Sequence, residues 1–298
     1  MLLCVDVGNT QISLGLYASG TPSADSEDVI RPPLVHQWRM RTDPRMTADE
    51  MQMALDAMLG RHADQVTGVA ALSTVPSILR ELRILADRHK GRTPMVIVGP
   101  RVRTGVPILV DNPKEVGADR VVNTLAAHRL YGTACVVVDF GTSTNIDVVS
   151  ARGEFLGGAL APGIEISLDA LVSRAAQLTT VELLRPRSVI GKNTVECLQA
   201  GILFGFAGQV DGLVRRILAE LDHPPVTVIA TGGLAPLVID ESETITEHVE
   251  DLTLLGLRLV YLRSARSTAR STMVRSGSSN SRSSAPAPDR PSSGTPAR

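Results

Sequence analysis

The feature that most constrains the fold of this chain is a motif that occurs twice. In each copy an apolar strand-like run reaches an aspartate, passes through a short glycine-containing turn and continues as a second apolar run. The copies are Asp6-Val-Gly-Asn-Thr10 near the start and Asp139-Phe-Gly-Thr-Ser143 in the middle of the chain. Each copy begins a β-meander, and helix-like segments follow it. The duplication predicts two similar α/β domains that face each other across a cleft.

The turns of both copies carry groups that bind phosphate. Glycine lets the backbone approach a ligand closely, and consecutive N–H groups form an anion-binding concavity. The hydroxyls of Thr10 and Thr142 add donors, and Asp6 and Asp139 are hard oxygen ligands for cations that neutralise phosphate. A third glycine-rich turn, Gly232-Gly233, ends the strand-like run VTVIATGG. These features predict a metal ion and nucleotide phosphates at the strand ends.

A single copy of the motif is also ordinary turn chemistry, because Asp and Asn side chains bond to their own backbone in turns. Two copies at domain spacing, together with the third turn, favour a nucleotide site over that alternative. The sequence has no GxGxxG after a strand and no GxxxxGK[ST]. The nucleotide motifs of the Rossmann and P-loop folds are therefore missing.

Composition limits the class of protein. The chain has 298 residues, of which 43% are hydrophobic and 20% charged, as expected for a globular protein with a substantial core. Its net charge of -1 gives no reason to expect nucleic acid or an anionic membrane as a partner, and no apolar run approaches the roughly 18–20 residues that span a bilayer. Cys4, Cys135 and Cys197 lie far apart without a CxxC motif, which predicts free thiols and a cytoplasmic location.

The sequence predicts three segments: an N-terminal domain at 1–115, a second domain at 116–263 and a tail at 264–298. The tail is rich in Ser, Arg and Pro and holds six arginines and one aspartate. It has too few large apolar residues to bury a core, so we expect it to be disordered. Within the domains, Thr47 is expected to cap a helix and Gly132 to end another.

The motifs DVGNT, DFGTST and TGG, in this order, resemble the phosphate-1, phosphate-2 and adenosine motifs of the acetate-and-sugar-kinase/actin-like ATPase superfamily. The runs DNPKEVGADR, GGALAPGI and IGKNTVECLQAGILFGF make the chain similar to type III pantothenate kinases from Met1 to about Leu262. This resemblance implies the α/β class, with two duplicated actin-like (ribonuclease H-like) domains and a nucleotide cleft between them. It also implies that ATP phosphorylates pantothenate, the first step of coenzyme A biosynthesis.

The resemblance further implies a role for individual residues. Asp119 matches the catalytic base, and Asp139 matches a ligand of a monovalent cation, K⁺ or ammonium. Asp6 should orient Mg²⁺, directly or through water. The matched substrate-binding positions are Gly117, Ala118, Asp119, Arg120 and Thr194. The matched ATP-binding positions are Asp6, Val7, Gly8, Asn9, Thr10, Gln11, Ile12, Ser13 and Thr142. The family works as a homodimer.

Four positions depart from the family pattern. The second phosphate loop has Ser143 and Asn145, Arg101 stands after Gly99-Pro100 where the family has glycine, and Thr179 follows Leu178 where a proline is usual.

Other readings of the same residues remain open. Asp119 and Arg120 could be a surface pair at a helix start, where an acidic residue favours the dipole. Thr194 could cap the helix that follows it. The chain could also be an actin-like nucleotide-binding regulator without kinase activity, or a kinase of another small hydroxy acid.

Overall fold

The computed structural model describes residues 1–18, 33–99, 102–175, 178–221 and 225–279, with backbone only for 267–279. It contains two mixed five-stranded sheets. Three layers of helices alternate with them, so that one layer lies between the sheets. The predicted duplication is therefore confirmed.

The first sheet has the order β3-β2-β1-β4-β5. Its strand β1 pairs antiparallel with β2 and parallel with β4. Two helices, α1 and α2, cover its outer face. The bounds are β1 Leu2–Val7, β2 Gln11–Tyr17, β3 Leu34–Arg41, α1 Ala48–Leu59, β4 Gly68–Ser73, α2 Pro76–Arg88 and β5 Met95–Ile97.

The second sheet has the order β10-β9-β6-β7-β8 and repeats this plan. Its strand β6 pairs antiparallel with β7 and parallel with β9. Helix α5 packs on its outer face. In chain order the elements are α3 Ala118–Tyr131, β6 Ala134–Phe140, β7 Ser143–Val149, β8 Phe155–Pro162, α4 Ile164–Arg174, α5 Thr194–Glu220, β9 Val226–Thr231, α6 Ala235–Val238, β10 Glu247–His248 and α7 Leu252–Ser279.

The helix boundaries follow the predicted caps in two cases and differ in a third. Thr47 forms a capping box with Glu50, and Gly132 ends α3 in the left-handed conformation with φ 65°. At α5 the cap is Asn193, whose side chain accepts from the N–H of Glu196, and Thr194 is the first helical residue. The alternative in which Thr194 caps this helix is therefore wrong, because the preceding asparagine already satisfies the free N–H.

Helices α3 and α7 form the layer between the sheets, and sequence analysis did not identify α7. One face of α7, with Leu254, Leu257 and Val260, packs in a cluster with residues of the first sheet. Another face, with Leu252 and Leu255, packs in a cluster with residues of the second sheet. A helix with two apolar faces belongs between two layers. The division at residues 115 and 116 stays a prediction, since both helices contact both halves of the chain.

The last helix also differs from the expectation of a disordered tail from residue 264. Its backbone continues to Ser279. A lack of large apolar residues prevents a segment from building a core, but it does not break a helix that has already started. The first proline of the tail comes only at Pro286. Residues 280–298 lie outside the described part of the chain, so their predicted disorder stays a prediction.

Helix α5 corrects the expectation that no segment resembles a membrane span. By length and composition alone its 27 residues could cross a bilayer. Glycines and single polar residues interrupt its apolar run, so the sequence shows no continuous apolar stretch of that length. Within the protein, 44% of its apolar window is buried, and Phe206, Val210 and Val214 belong to the core of the second sheet. This degree of burial is typical of a helix that packs in the core of a protein.

The close approach of α3 and α7 at Gly256 generates the first prediction. A Cβ added at Gly256 would lie 2.3 Å from the carbonyl oxygen of Val122, which is backbone and cannot rotate away. We expect Gly256→Ala to lower the free energy of unfolding by about 1–3 kcal/mol, because the helices must separate. Thermal and urea unfolding measure this loss.

Gly208→Ala is the matched control for this prediction. Gly208 is an exposed helical glycine whose added methyl group would meet nothing within 4 Å. Alanine there should be neutral or stabilising by up to about 1 kcal/mol, because it favours the helix. Equal effects of the two substitutions would contradict the packing argument.

Candidate active site between the two sheets

The alternation of side chains along β1 and β6 places one aspartate from each strand on the inner face of its sheet. In β1, Leu3, Val5 and Val7 belong to the outer core, so Asp6 faces the layer of α3 and α7. In β6, Val136, Val138 and Phe140 belong to the outer core, so Asp139 faces the same layer. The two duplicated motifs therefore aim their carboxylates at one place.

A cleft of about 350 Å³ opens where these strands end. Both phosphate loops, the third glycine-rich turn and the first turns of α3 and α7 line it. Residues that line it include Asp6, Thr10, Asp119, Asp139, Thr142 and Gly232.

Burial and neighbouring negative charges disfavour the ionisation of two carboxylates in this cleft, Asp6 and Asp139. Burial raises the pKa of Asp6 to about 8, and the charges of Asp119 and Asp139 add to the effect. Burial likewise raises the pKa of Asp139 to about 7, with the charges of Asp119 and Asp147 contributing and a hydrogen bond from Asn123 opposing. Groups of this kind ionise readily only when a cation neutralises them. The donor set therefore fits the hard cations that accompany nucleotide phosphates.

The two phosphate loops meet across the cleft. The hydroxyl oxygens of Thr10 and Thr142 lie 3.0 Å apart, within hydrogen-bonding distance. At the third turn, Gly232 has φ 90°, and a Cβ there would lie 2.6 Å from both Oδ1 of Asp139 and the carbonyl oxygen of Phe140. Only glycine lets this backbone come so close to the second loop. All three motifs thus converge on one phosphate-sized space.

Asn123 of α3 is a buried polar residue that sequence analysis missed. Its amide nitrogen donates to Oδ2 of Asp139 at 3.5 Å, and its amide oxygen accepts from the hydroxyl of Thr253 on α7 at 2.8 Å. It thereby connects the central helices to the second phosphate loop. An asparagine inside an otherwise apolar helix face was the available signal.

The cleft also contains residues whose contacts form only because α7 packs back against the first sheet. Arg39 of β3 forms an ion pair with Glu250, which precedes α7, and both line the cleft with Asp251. The hydroxyl of Tyr17 donates to Asp251 at 3.4 Å. Because α7 was not recognised from the sequence, none of these contacts could be predicted.

The predicted ATP-binding positions divide into two groups. Val7 and Ile12 are buried in the outer core of the first sheet, so their side chains point away from the cleft. The others line the cleft: Asp6, Gly8, Asn9, Thr10, Gln11, Ser13 and Thr142.

Among the predicted substrate-binding positions, Asp119 alone lines the cleft. Gly117 is the N-cap of α3, and a Cβ there would lie 2.3 Å from Oδ1 of Asp119, so glycine leaves room for the carboxylate. Ala118 packs against the core between the first sheet and the central helices. Arg120 turns toward β7 and bonds to Asp147. Thr194 is exposed at the start of α5.

The positions that depart from the family pattern have different outcomes. Asn145 lines the cleft, pairs across the strands with Asp139 and accepts a hydrogen bond from the hydroxyl of Ser143 at 3.1 Å. A polar contact is thus retained in the second loop. Arg101 lies outside the described residues, and Thr179 lies in a segment without helix or strand.

Comparison with known proteins identifies close relatives over most of the chain. Residues 2–216 match the family model described as type III pantothenate kinase. The type III pantothenate kinase of Saccharopolyspora erythraea is 70% identical over 266 residues, covering 88% of this chain and 98% of that protein. The protein of the same description from Rhodococcus opacus is 63% identical, covering 91% of this chain and 98% of that protein.

Solved structures resemble the chain in fold at low sequence identity. The activator of the 2-hydroxyisocaproyl-CoA dehydratase from Clostridium difficile, solved with bound ADPNP, has a TM-score of 0.53 and 12% identity over 91% of this chain and 97% of its own. A protein described as a Baf family transcriptional activator from Campylobacter jejuni has a TM-score of 0.51 and 15% identity over 89% of this chain and 99% of its own. These likenesses show the actin-like fold alone.

The raised pKa values of Asp6 and Asp139 generate a prediction about pH. In the cation-free protein both pKa values exceed the unfolded value of about 3.9. As pH rises, the unfolded chain therefore releases these protons first, and ionisation favours unfolding. We expect these two groups to lower the free energy of unfolding progressively between about pH 4 and pH 8. Thermal unfolding in chelator at several pH values measures the slope.

Asp6→Asn supplies the comparison for this measurement, because it removes one of the two titrating carboxylates. The variant should show a shallower loss of stability between pH 6 and pH 8 than the wild type. Added Mg²⁺ should raise the melting temperature of the wild type more at pH 8 than at pH 6. A pH slope identical in both proteins would show that Asp6 does not titrate in this range.

Proposed function

The chain belongs to the type III pantothenate kinase family, and we infer from this membership that it transfers the γ-phosphoryl group of ATP to the primary hydroxyl of pantothenate. This reaction is the first step of coenzyme A biosynthesis. In the structure, the two phosphate loops meet in the cleft that Asp119 also lines, and this observation supports the inference. Phosphoryl transfer depends mainly on positioning and on neutralising charge, and this cleft offers both.

We propose Asp119 as the general base. It lies in the first turn of α3 and lines the cleft together with both loops. From there its carboxylate can accept the proton of the pantothenate hydroxyl while that oxygen bonds to phosphorus and the bond to ADP breaks. The alternative of a surface ion pair with Arg120 finds no support, because Arg120 pairs with Asp147 instead.

The residues from Asp6 to Ser13 and Thr142 are proposed to hold the ATP phosphates. The backbone N–H of Asn9 and the hydroxyls of Thr10 and Thr142 supply donors. The N–H of Gly8 already donates to the carbonyl oxygen of Gln11. Val7 and Ile12 can take part only through their backbone, since their side chains are in the core. The glycines at 232 and 233 offer the close approach that a nucleoside needs.

Two cations fit the carboxylates of the cleft. Asp6 is proposed to orient Mg²⁺, directly or through water, and Asp139 to bind a monovalent cation, K⁺ or ammonium. Their raised pKa values support this, because cations make the ionised forms favourable. A bound cation supplies positive charge against the phosphates.

Pantothenate is proposed to extend from Asp119 along the segment from Gly117 to Arg120. Arg120 provides a planar fork suited to the substrate carboxylate. Thr194 does not line the cleft of its own chain among the described residues. Its contact with pantothenate is proposed to be made in the second subunit of a homodimer.

Exposed large apolar side chains on the second half of the chain support the proposed homodimer. They are Leu156 and Leu160 on the edge strand β8, Ile166 and Leu171 on α4, and Val195 on α5. Exposed apolar side chains on an edge strand are typical of association surfaces. The buried free thiols of Cys4 and Cys135 support the proposed cytoplasmic location.

Two other functions remain distinguishable by assay. A nucleotide-binding regulator would bind ATP without turnover, and a kinase of another hydroxy acid would prefer a different acceptor. The three carboxylates of the cleft favour a kinase over a regulator. ADP release measured with pantothenate and with a panel of small hydroxy acids separates the three possibilities.

Replacement of the proposed base gives the next prediction. Asp119→Asn is nearly isosteric but cannot accept the proton, so we expect kcat to fall by about 10²–10⁴ while the melting temperature changes little. Asp87→Asn, an exposed carboxylate on α2, is the control and should retain full activity. Near wild-type kcat in Asp119→Asn would show that another group is the base.

The monovalent cation is tested by titration of K⁺ into a Na⁺-balanced assay at constant ionic strength. We expect activity to require K⁺ or ammonium and to be weak in Na⁺, because Na⁺ is too small to contact all the oxygens of a cavity shaped for K⁺. Asp139→Asn removes one negative charge and should raise the K⁺ concentration at half-maximal rate. A rate independent of K⁺ would reject the requirement, and an unchanged midpoint in the variant would reject Asp139 as the ligand.

A further inference from the structure

Two groups outside the nucleotide cleft hold the side chain of Arg120. Its Nε donates to Oδ1 of Asp147 at 2.8 Å, and its Nη2 donates to the same oxygen at 2.5 Å. The guanidinium carbon lies 5.1 Å from the centre of the Phe155 ring, within the range of a cation–π contact. The ion pair with Asp147 fixes the guanidinium group from one side, and the Phe155 ring contacts it as a second surface.

Asp147 is an unfavourable residue for the stability of the fold. Its side chain is 1% exposed, and its Oδ2 has no hydrogen-bond partner among the described residues. Burial raises its pKa, and Arg120 only partly opposes this. A half-satisfied buried ion pair is often no more stable than apolar side chains of the same volume. Stability therefore does not explain a carboxylate here.

The position of Asp147 follows from the sheet. It stands on β7 two residues after Asn145, so both face the inner layer, and Asn145 lines the nucleotide cleft. Asp147 lies farther from the phosphate loop along the same strand and receives Arg120 from α3. Strand β7 thus places Asn145 in the cleft and, two residues later, Asp147 in contact with Arg120.

Arg120 keeps donors for a ligand after these contacts are made. A guanidinium has five N–H groups, and Asp147 accepts two of them. The guanidinium of Arg120 makes no other hydrogen bond within the part of the chain that the structure describes, and the side chain is 22% exposed. Three N–H groups of a fixed planar fork are what recognition of a carboxylate needs.

We propose that Asp147 is a positioning residue for pantothenate: it holds the guanidinium of Arg120 in one orientation, so that the remaining N–H groups bind the carboxylate of the substrate. This inference rests on the proposed function, in which Arg120 contacts pantothenate. Without Asp147 the arginine keeps its charge but loses the two bonds that fix its plane. Binding of pantothenate weakens, whereas ATP binding and proton transfer at Asp119 do not depend on the pair.

The test compares Asp147→Ala, Asp147→Asn, Arg120→Ala and the double variant Arg120→Ala/Asp147→Ala. For each, steady-state assays give kcat and the KM values for pantothenate and ATP, and calorimetry gives the Kd of pantothenate. We expect Asp147→Ala to raise the KM and Kd of pantothenate about 10-fold or more. The KM of ATP and kcat should change by less than about twofold.

The conservative variant and the double variant separate positioning from general stability. The amide oxygen of Asp147→Asn can still accept both hydrogen bonds, so this variant should recover most of the affinity for pantothenate. If Asp147 acts through Arg120, the double variant should bind pantothenate as weakly as Arg120→Ala and no more weakly. It removes both buried charges together, so it should fold even if Asp147→Ala does not.

Asp211→Ala is the matched control for loss of a buried carboxylate. Asp211 is 5% exposed and accepts hydrogen bonds from Ser242 and Thr244, away from Arg120. Its replacement should lower the melting temperature without a selective change in the KM of pantothenate.

Three results would overturn the inference. In the first, Arg120→Ala weakens pantothenate binding while Asp147→Ala and Asp147→Asn leave it unchanged. In the second, the two single effects add in the double variant. An Arg120→Ala variant with unchanged affinity would also reject the inference, by removing Arg120 from the substrate site. Failure of the proposed function itself would look different, because the wild type would then release no ADP with pantothenate.

Discussion

The contact between α3 and α7 is the constraint on which the rest of the structure depends. The two helices meet so closely at Gly256 and Val122 that no side chain fits between them. Each helix also packs against both sheets. The distance between the two phosphate loops is therefore set by a thin helical layer, and not by the loops. Because α3 also carries Asp119, Arg120 and Asn123, the same contact fixes these three residues relative to both loops.

The inner faces of the sheets carry carboxylates where apolar residues would be more stable. Asp6, Asp139 and Asp147 follow the strand alternation onto the helical layer, and burial raises the pKa of each. The outer faces form continuous apolar cores with α1, α2 and α5. The two faces thus have different roles: the outer cores supply stability, while the inner faces hold desolvated carboxylates with raised pKa values.

The sequence was sufficient for features that depend on neighbouring residues. The duplicated strand–turn–strand motif, the capping box at Thr47 and the glycine end at Gly132 are all local, and the structure confirms them. Contacts between distant residues could not be predicted in the same way. Thr253 contacts Asn123 only because α7 returns to the centre of the fold. To predict that Arg120 pairs with Asp147, one would need to know which face of β7 packs against α3. Asn193 and Thr194 show that the exact start of a helix is also hard to predict. Both residue types can cap a helix, and only the backbone geometry shows that Asn193 is the cap.

The first turn of α3 explains how adjacent residues can serve opposite ends of one substrate. Successive side chains on a helix are separated by about 100°, so two neighbours cannot face the same space. Asp119 turns into the cleft with the phosphate loops, and Arg120 turns toward Asp147 and Phe155. A substrate with a hydroxyl at one end and a carboxylate at the other can therefore be held at both ends by a single helix turn. Because that turn is packed between both sheets, the proposed base and the proposed carboxylate-binding arginine lie on the same rigid element.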